Sequence, residues 1–246
     1  GGYLCDYDKR PLTATLAVLR AAIQMGKPTA MLGQGVGPLD DPDLRRRLAE
    51  VLPKVDLILA RERRVAPALL QALGVDAARV MMTGDDAIQM AYGRRSHSLG
   101  RHLGVGFRIA PYTQVTPDDL GRVRPILQAA ARRHRARMIP LSISHHVRED
   151  DRITESALFS GYQREPWFKP RFHMPVETIR LAGKCRVVVA GAYHSAVFAL
   201  AQGIPAVGIV KSLEYRNKFH GLRDEFGCGC EIVSLESRDF EFDLGQ

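Results

Sequence analysis

Residues 185–227 read CRVVVAGAYHSAVFALAQGIPAVGIVKSLEYRNKFHGLRDEFG. The run of valines near its start predicts a buried strand, and the following residues predict a helix that begins near His194 and Ser195. A Gly-Ile-Pro motif stops this helix, and a second apolar run leads to Lys211. Because parallel strands end at one edge of a sheet, and α/β proteins hold ligands at that edge, this stretch predicts a binding site.

The alternation of strand and helix continues on the N-terminal side of this stretch. Residues 1–92 predict one Rossmann-like domain, which we expect to be incomplete because the chain opens on a glycine turn with no strand before it. The polar segment 93–102 predicts a linker, and residues 103–246 predict a second Rossmann-like domain. In the first domain we expect a helix at 61–73. The predicted fold is therefore α/β, with two parallel sheets in a GT-B-like arrangement and a cleft between them.

Composition excludes several classes of function. The chain has 246 residues, 46% of them hydrophobic, but no apolar run of about 18 residues that would predict a membrane span. The formal charge of +8 comes largely from arginines that are scattered along the predicted helices without interleaved aromatic residues, so we expect no nucleic-acid partner. The four cysteines do not form a disulfide framework. We expect a cytoplasmic protein, and the sequence leaves its oligomeric state open.

Three local motifs have simpler interpretations than a cofactor or metal site. The glycine turn at 33–37 is followed by a proline and a polar loop, which does not fit dinucleotide binding. His145 and His146 are adjacent, so they point apart on a strand, and no third ligand has matching spacing. Asp85 and Asp86 precede a predicted helix that at least one of them caps. We therefore expect neither a metal nor a bound cofactor.

Several motifs in order resemble the polysaccharide pyruvyl transferase family. They are GQGVGPL at 33–39, ARERRV at 60–65, LGV at 73–75, TGDDA at 83–87 and YHSAVFALAQGIP at 193–205. The resemblance covers nearly the whole chain and implies the two-domain fold described above. It also implies that the enolpyruvyl group of phosphoenolpyruvate is moved onto two hydroxyls of a saccharide as a cyclic ketal.

The resemblance implies roles for particular residues. His194 matches the family's acid/base histidine, and Arg61 matches its arginine just after a strand of the first domain. Lys211 and Lys218 are both candidates for the lysine beyond the Gly-Ile-Pro strand. These residue types suit a donor that carries a phosphate and a carboxylate, because such a donor needs cations and a group that moves protons.

One position departs from the family pattern. The family commonly has arginine two residues before the histidine, whereas this chain has Ala192 there. Arg108, at the end of the second domain's first strand, is our candidate for a substitute cation. We also expect Ser195 to contact the donor, and Gln34 and Asp85 to contact the acceptor or to shape the loops around it.

Two alternatives to a pyruvyl transferase remain open at this stage. A glycosyltransferase of the same architecture would use a nucleotide-sugar donor, and it would need an acidic residue in the second domain to hold the ribose hydroxyls. A non-catalytic relative would bind a sugar or a partner protein, which the alanine at position 192 makes credible. Phosphate release from phosphoenolpyruvate would separate the three functions.

Overall fold

The structure, a computed structural model, describes residues 2, 4–7, 9–146, 149–162 and 174–245. The chain divides into two compact units, Gly1–Asp86 and Ala87–Gln246. The first unit contains α1 (Lys9–Gln24), β1 (Ala30–Gln34), α2 (Pro42–Val51), β2 (Leu57–Ala60), α3 (Ala66–Ala72) and β3 (Val80–Met82). The second contains α4 (Ala87–Tyr92), β4 (His102–Gly106), α5 (Pro117–Arg133), β5 (Met138–Pro140), α6 (Asp151–Leu158), α7 (Pro175–Ala182), β6 (Cys185–Ala190), α8 (Tyr193–Leu200), β7 (Ala206–Val210), α9 (Leu213–Phe226), β8 (Cys230–Ser234) and α10 (Phe240–Gly245).

The sheet of the first unit is parallel, with the strand order β1-β2-β3. Its core consists of apolar residues from the three helices packed on strand residues such as Met31 and Ile58. Because all three strands run in the same direction, the residues that follow Gln34, Ala60 and Met82 lie together at the carboxyl edge.

The sheet of the second unit is also parallel, with the order β5-β4-β6-β7-β8. Two apolar clusters cover its two faces, as expected for a parallel sheet. One cluster joins residues of α7, α8 and α9 to strand residues such as Val188, and the other joins α5, α6 and α10 to residues such as Val189. The predicted α/β class with parallel sheets is confirmed by the two sheets.

Local sequence signals explain where several helices begin. Asp41 accepts hydrogen bonds from the N–H groups of Asp43 and Leu44, so it caps α2. Thr116 and Asp119 form a capping box at the start of α5. Ser212 caps α9 by accepting from the N–H of Tyr215. These caps place the loops before α5 and α9 at the carboxyl edge of the five-stranded sheet.

The helix predicted at 61–73 was wrong at its start, because α3 begins at Ala66. The Glu62 carboxylate accepts hydrogen bonds from the N–H groups of Arg64, Val65 and Ala66, which holds the preceding residues in a bend. Arg61 therefore lies at a strand exit and outside the helix.

The boundary between the two compact units falls in the sequence between Asp86 and Ala87. It precedes the segment 93–102 that we expected to be the linker. The reason is that α4 belongs to the second unit, where Ala91 is part of the core shared with α8. Among the described residues, no helix is long and apolar enough to cross a membrane.

Candidate functional site

At the carboxyl edge of the first unit, Arg61 occupies a space that glycines keep open. Its backbone N–H donates to the carbonyl of Gln34, and the residue is only 8% exposed. A Cβ added to Gly35 would lie 2.6 Å from its Nη2 atom, and one added to Gly2 would lie 2.7 Å from the same atom. These glycines are therefore needed for the guanidinium to lie against the backbone.

An acidic group lies beside this guanidinium. Arg61 Nη1 is 3.3 Å from Asp85 Oδ2, and both side chains are less than a tenth exposed. Asp86 packs on Gly33, where an added Cβ would meet its Oδ2 atom at 2.2 Å. The structure thus brings Arg61 and Asp85 together, although they are separated by 24 positions in sequence.

Gln34 is also buried at this edge, with 3% of its surface exposed. Its Nε2 group donates to the carbonyl of Leu32 at 3.1 Å. Its Oε1 atom has no hydrogen-bond partner among the described residues. Exchanging the amide atoms would bring the oxygen against the Leu32 carbonyl, so the orientation with an unsatisfied oxygen is preferred. Its expected role at the acceptor stays a prediction.

In the second unit, His194 lies in the first turn of α8, directly after the central strand β6. Every other residue of α8 is buried, whereas His194 is half-buried. Its ring contacts Tyr193 edge-on at 5.2 Å and Phe198 at 6.2 Å between centroids. Ala192, the N-cap residue, has no side chain that could cap the helix. An imidazole is therefore presented at a helix start that favours anions.

Ser195 is packed inside the second unit. It is fully buried, and its hydroxyl donates to the carbonyl of Leu141 at 3.1 Å. A Cβ added to Gly106 would lie 2.1 Å from its Oγ atom, so the hydroxyl is packed directly on β4. Ser195 joins α8 to the ends of two strands, and its expected contact with the donor stays a prediction.

Arg108 is held by an internal ion pair. Its Nε and Nη2 atoms donate to the two carboxylate oxygens of Asp151, at 2.9 and 3.0 Å. Burial opposes the charged form of Arg108, but the hydrogen bonds and charge of Asp151 outweigh it and raise the pKa above its ordinary value. Asp151 also accepts from the N–H groups of Ile143 and Ser144, both at 2.8 Å. Arg108 is therefore satisfied inside the protein, and its expected role as a cation for the donor stays a prediction.

A row of aromatic rings connects the region of Arg108 to His194. Tyr112 stacks on Tyr215 at 5.8 Å, and Tyr215 contacts Phe219 at 6.1 Å. Phe219 contacts Tyr193 at 6.3 Å, and Tyr193 contacts His194. The Tyr112 hydroxyl donates to Glu149 at 2.6 Å. These rings form a packed apolar surface at the carboxyl edge, on the face of the sheet that α8 covers.

The two candidate lysines lie on different sides of this edge. Lys218 pairs with Glu214, and its Nζ atom lies 5.7 and 5.2 Å from the ring centroids of Tyr112 and Tyr215. Lys211 donates to Asp119 at 2.8 Å, and Asp119 belongs to α5 on the opposite face of the sheet. The structure therefore groups Lys218, and not Lys211, with the aromatic row that leads to His194.

Sequence reasoning missed the acidic partners of these cations. Asp119 is signalled only by its place in the capping box with Thr116, which predicts a helix start and not an ion pair. Asp151 gives no local signal for its contact with Arg108, which is 43 positions away. Within the described parts of the chain, no cluster of three or more histidine, cysteine or acidic residues could hold a metal ion.

Comparison with known proteins gives a family and a fold. The sequence model of the family "Polysaccharide pyruvyl transferase" matches residues 1–212. None of the curated proteins is significantly similar to the chain in sequence.

Among solved structures, the UDP-GlcNAc 2-epimerase from Methanocaldococcus jannaschii aligns with a TM-score of 0.58 at 12% identity, over 93% of this chain and 65% of the epimerase. The UDP-GlcNAc 2-epimerase from Neisseria meningitidis, solved with UDP-GlcNAc bound, aligns with a TM-score of 0.58 at 14% identity, over 95% of this chain and 64% of that one. The chain thus spans less than two thirds of the length of these structures. At such identities the likeness shows the fold alone, which agrees with the predicted GT-B-like class.

Proposed function

Because the chain belongs to the polysaccharide pyruvyl transferase family, we propose that it transfers the enolpyruvyl group of phosphoenolpyruvate to two hydroxyls of a saccharide. In this reaction the bond between the enol carbon and the phosphate oxygen breaks, and two bonds to the acceptor oxygens form. One hydroxyl proton ends on the methylene carbon, which becomes a methyl group, and the other leaves with the phosphate. The protein must therefore move protons and hold a strongly anionic donor.

The observation that supports this proposal best is the placement of His194. It is the one residue of α8 that is not buried, and it lies at the carboxyl edge of the central strand. Histidine is the side chain that most often serves as a general acid and base in enzymes. We therefore assign the proton transfers to His194, with the start of α8 attracting the phosphate or carboxylate of the donor.

Within the second unit, the cation that we propose for the donor is Lys218. Lys218 is favoured over Lys211 because the same aromatic row carries Lys218 at one end and His194 at the other. Arg61 keeps the role that its family position implies, in a cradle of glycines beside Asp85. Gln34 and Asp85 are proposed to contact acceptor hydroxyls, for which the unsatisfied oxygen of Gln34 is a suitable partner.

The direct test is release of inorganic phosphate from phosphoenolpyruvate in the presence of saccharide acceptors. We expect His194→Ala to reduce the rate at least about 100-fold, which is the usual contribution of a general acid/base. His134→Ala is the matched control, because His134 is exposed at the end of α5 and should leave the rate unchanged. Equal rates for the His194→Ala variant and the unmodified chain would remove this histidine from the mechanism.

A nucleotide-sugar-dependent transferase is the second candidate, because one structure of similar fold was solved with UDP-GlcNAc bound. A thermal-shift comparison separates the two donors. We expect phosphoenolpyruvate to raise the melting temperature of the chain and UDP-sugars to leave it unchanged. A shift with UDP-sugars alone would contradict the pyruvyl transfer proposal.

A further inference from the structure

The arginines that look scattered in the sequence meet at the amino edge of the five-stranded sheet. The N–H group of Arg101 donates to the carbonyl of Lys184, and the N–H of Leu103 donates to the carbonyl of Arg137. The residues just before β4, β5 and β6 are therefore neighbours. Arg133 and Arg135, at the end of α5, and Arg186, at the start of β6, complete the group. We call these six residues the basic patch: Arg101, Arg133, Arg135, Arg137, Lys184 and Arg186.

The basic patch is exposed and has no acidic residues in the segments that form it. All six of its residues are exposed. Segments 93–102, 130–137 and 183–187 contain no Asp or Glu. Within the described chain, Arg101, Arg133, Arg135 and Arg186 make no ion pair with a carboxylate. Six positive charges, in a chain whose formal net charge is +8, thus concentrate on one edge of one unit.

Stabilisation of helix ends explains only part of this arrangement. Cations in the last turn of a helix interact favourably with its dipole, and this accounts for Arg133 at the end of α5. It does not account for Arg101, which precedes a strand, or for Arg186, which lies within one. Arg135 has a left-handed backbone conformation, with φ of 49°, in the position after a helix where glycine is usually preferred. This chain therefore has an arginine at a position where glycine would be less strained.

The basic patch is separate from the proposed catalytic edge. It lies at the beginning of β6, whereas His194 follows the end of this strand. The six residues of this extended strand span about 20 Å. The patch therefore cannot hold the anionic groups of a donor that reacts at His194, so an anion bound there would be a different one.

An exposed apolar residue lies in the loop beside the basic patch. Leu99 is 81% exposed, and it lies between Arg95 and Arg101 in the sequence. The loop is fixed at the amino edge at Gly100, where an added Cβ would lie 2.3 Å from the carbonyl oxygen of Cys185. Tyr92, at the end of α4, is half exposed and carries the Arg95 guanidinium 3.9 Å above its ring. Cations around exposed apolar and aromatic side chains are typical of proteins that lie on a bilayer surface.

We propose that the basic patch and Leu99 dock the second unit on a membrane surface that contains anionic lipids. The cations face the lipid headgroups, and the Leu99 side chain enters the boundary between headgroups and acyl chains. A nucleic acid is a poorer fit, because single strands are bound by aromatic platforms on which bases stack. Here the ring of Tyr92 is covered by Arg95.

The test is sedimentation of the chain with vesicles of phosphatidylcholine that contain about 30% phosphatidylglycerol, an anionic surface of the kind that attracts basic segments. We expect binding that weakens as salt is raised, and no binding to pure phosphatidylcholine. Replacing Arg133, Arg135 and Arg186 in the variant R133Q/R135G/R186Q should weaken binding about 100-fold, at about fivefold for each arginine. Circular dichroism should show an unchanged fold, because glycine suits the left-handed position 135.

A matched control removes three exposed cations elsewhere, in the variant K27Q/K54Q/R124Q. Its binding to the same vesicles should change only a few-fold, and an equal loss in both variants would overturn the assignment to the basic patch.

Leu99→Ser distinguishes a bilayer from a nucleic acid. It should weaken vesicle binding about tenfold, because burial of a leucine side chain contributes substantially to transfer from water. It should not affect binding to a single-stranded RNA. Failure to bind anionic vesicles, or RNA binding that the R133Q/R135G/R186Q variant loses while vesicles are never bound, would overturn the proposal. Neither result depends on phosphate release, so this test is independent of the proposed reaction.

Discussion

The ion pair between Arg108 and Asp151 offers the sharpest test of the site geometry. Asp151 is 1% exposed and accepts two hydrogen bonds from Arg108 and two from backbone N–H groups. The Asp151→Asn variant keeps the size of the side chain and removes its charge. The Arg108 guanidinium, whose side chain is 12% exposed, would then lose its bidentate partner and keep only Glu149, whose carboxylate lies 3.9 Å from Nη1.

Loss of one partner of a buried ion pair costs about 3–5 kcal/mol of unfolding free energy. In a unit of this size, that corresponds to a melting temperature lower by about 6–20 °C. Arg108→Met should also destabilise the unit, because it leaves a buried carboxylate. The double variant R108M/D151N removes both charges, while the amide oxygen introduced at position 151 can still accept from the backbone N–H groups. We expect it to recover about 2 kcal/mol or more relative to Asp151→Asn alone.

Urea unfolding followed by circular dichroism measures these free energies, and thermal shift with phosphoenolpyruvate adds a functional readout. The double variant should keep the shift caused by phosphoenolpyruvate, because the charge of Arg108 is satisfied within the protein. Two results would refute the reasoning: additive destabilisation in the double variant, or a lost ligand shift in a double variant that remains folded. The second result would indicate that Arg108 contacts the donor.

Three further predictions follow from contacts described above. Burial opposes ionisation of Asp119, but hydrogen bonds from Lys211 and Thr116 hold its pKa below the ordinary value. Its stabilising effect is therefore present above about pH 4 and is lost as the pH falls through the folded pKa. Urea unfolding at pH 7 and pH 3 should show that the free energy of unfolding falls less on acidification for Lys211→Met than for the unmodified chain. Burial raises the pKa of Cys185 to about 12 and that of Cys230 to about 11. A thiol reagent should therefore rapidly modify only the exposed Cys228 in the native chain, and all four cysteines in urea. More than one fast-reacting thiol in the native chain would contradict the buried positions of the others. Gly35→Ala should destabilise the first unit by about 1–3 kcal/mol, because the added methyl group would clash with Arg61. Gly121→Ala in α5 should instead stabilise the chain by about 1 kcal/mol in the same unfolding assay, because an added Cβ there meets no atom within 4 Å.

The alternation of apolar runs and helix caps was sufficient to predict the parallel sheets. Pro42 after Asp41, and the capping box of Thr116, give the starts of α2 and α5 a local cause that can be read without the structure. The start of α3 could not be read in this way, because Glu62 caps it from within the bend and is not a usual N-cap residue.

The chemical partners of the site residues could not be predicted, because they depend on contacts across the fold. His194 is recognisable from its position between a strand and a helix. Whether Arg108 is available to a ligand is decided by Asp151, and whether Ser195 is accessible is decided by its packing on Gly106. The basic patch illustrates the same limit, because strand pairing alone makes its separate segments neighbours.

Because the rest of α8 is buried, the orientation of the His194 imidazole depends on the packing of apolar side chains. Side chains such as Val197 and Phe198 belong to the hydrophobic interior and also hold the helix turn that carries the His194 ring. A lost methylene in that interior would therefore lower the melting temperature and also displace the ring. Under the proposed reaction, a mutational screen for activity would detect buried residues that never contact substrate, because these residues position His194.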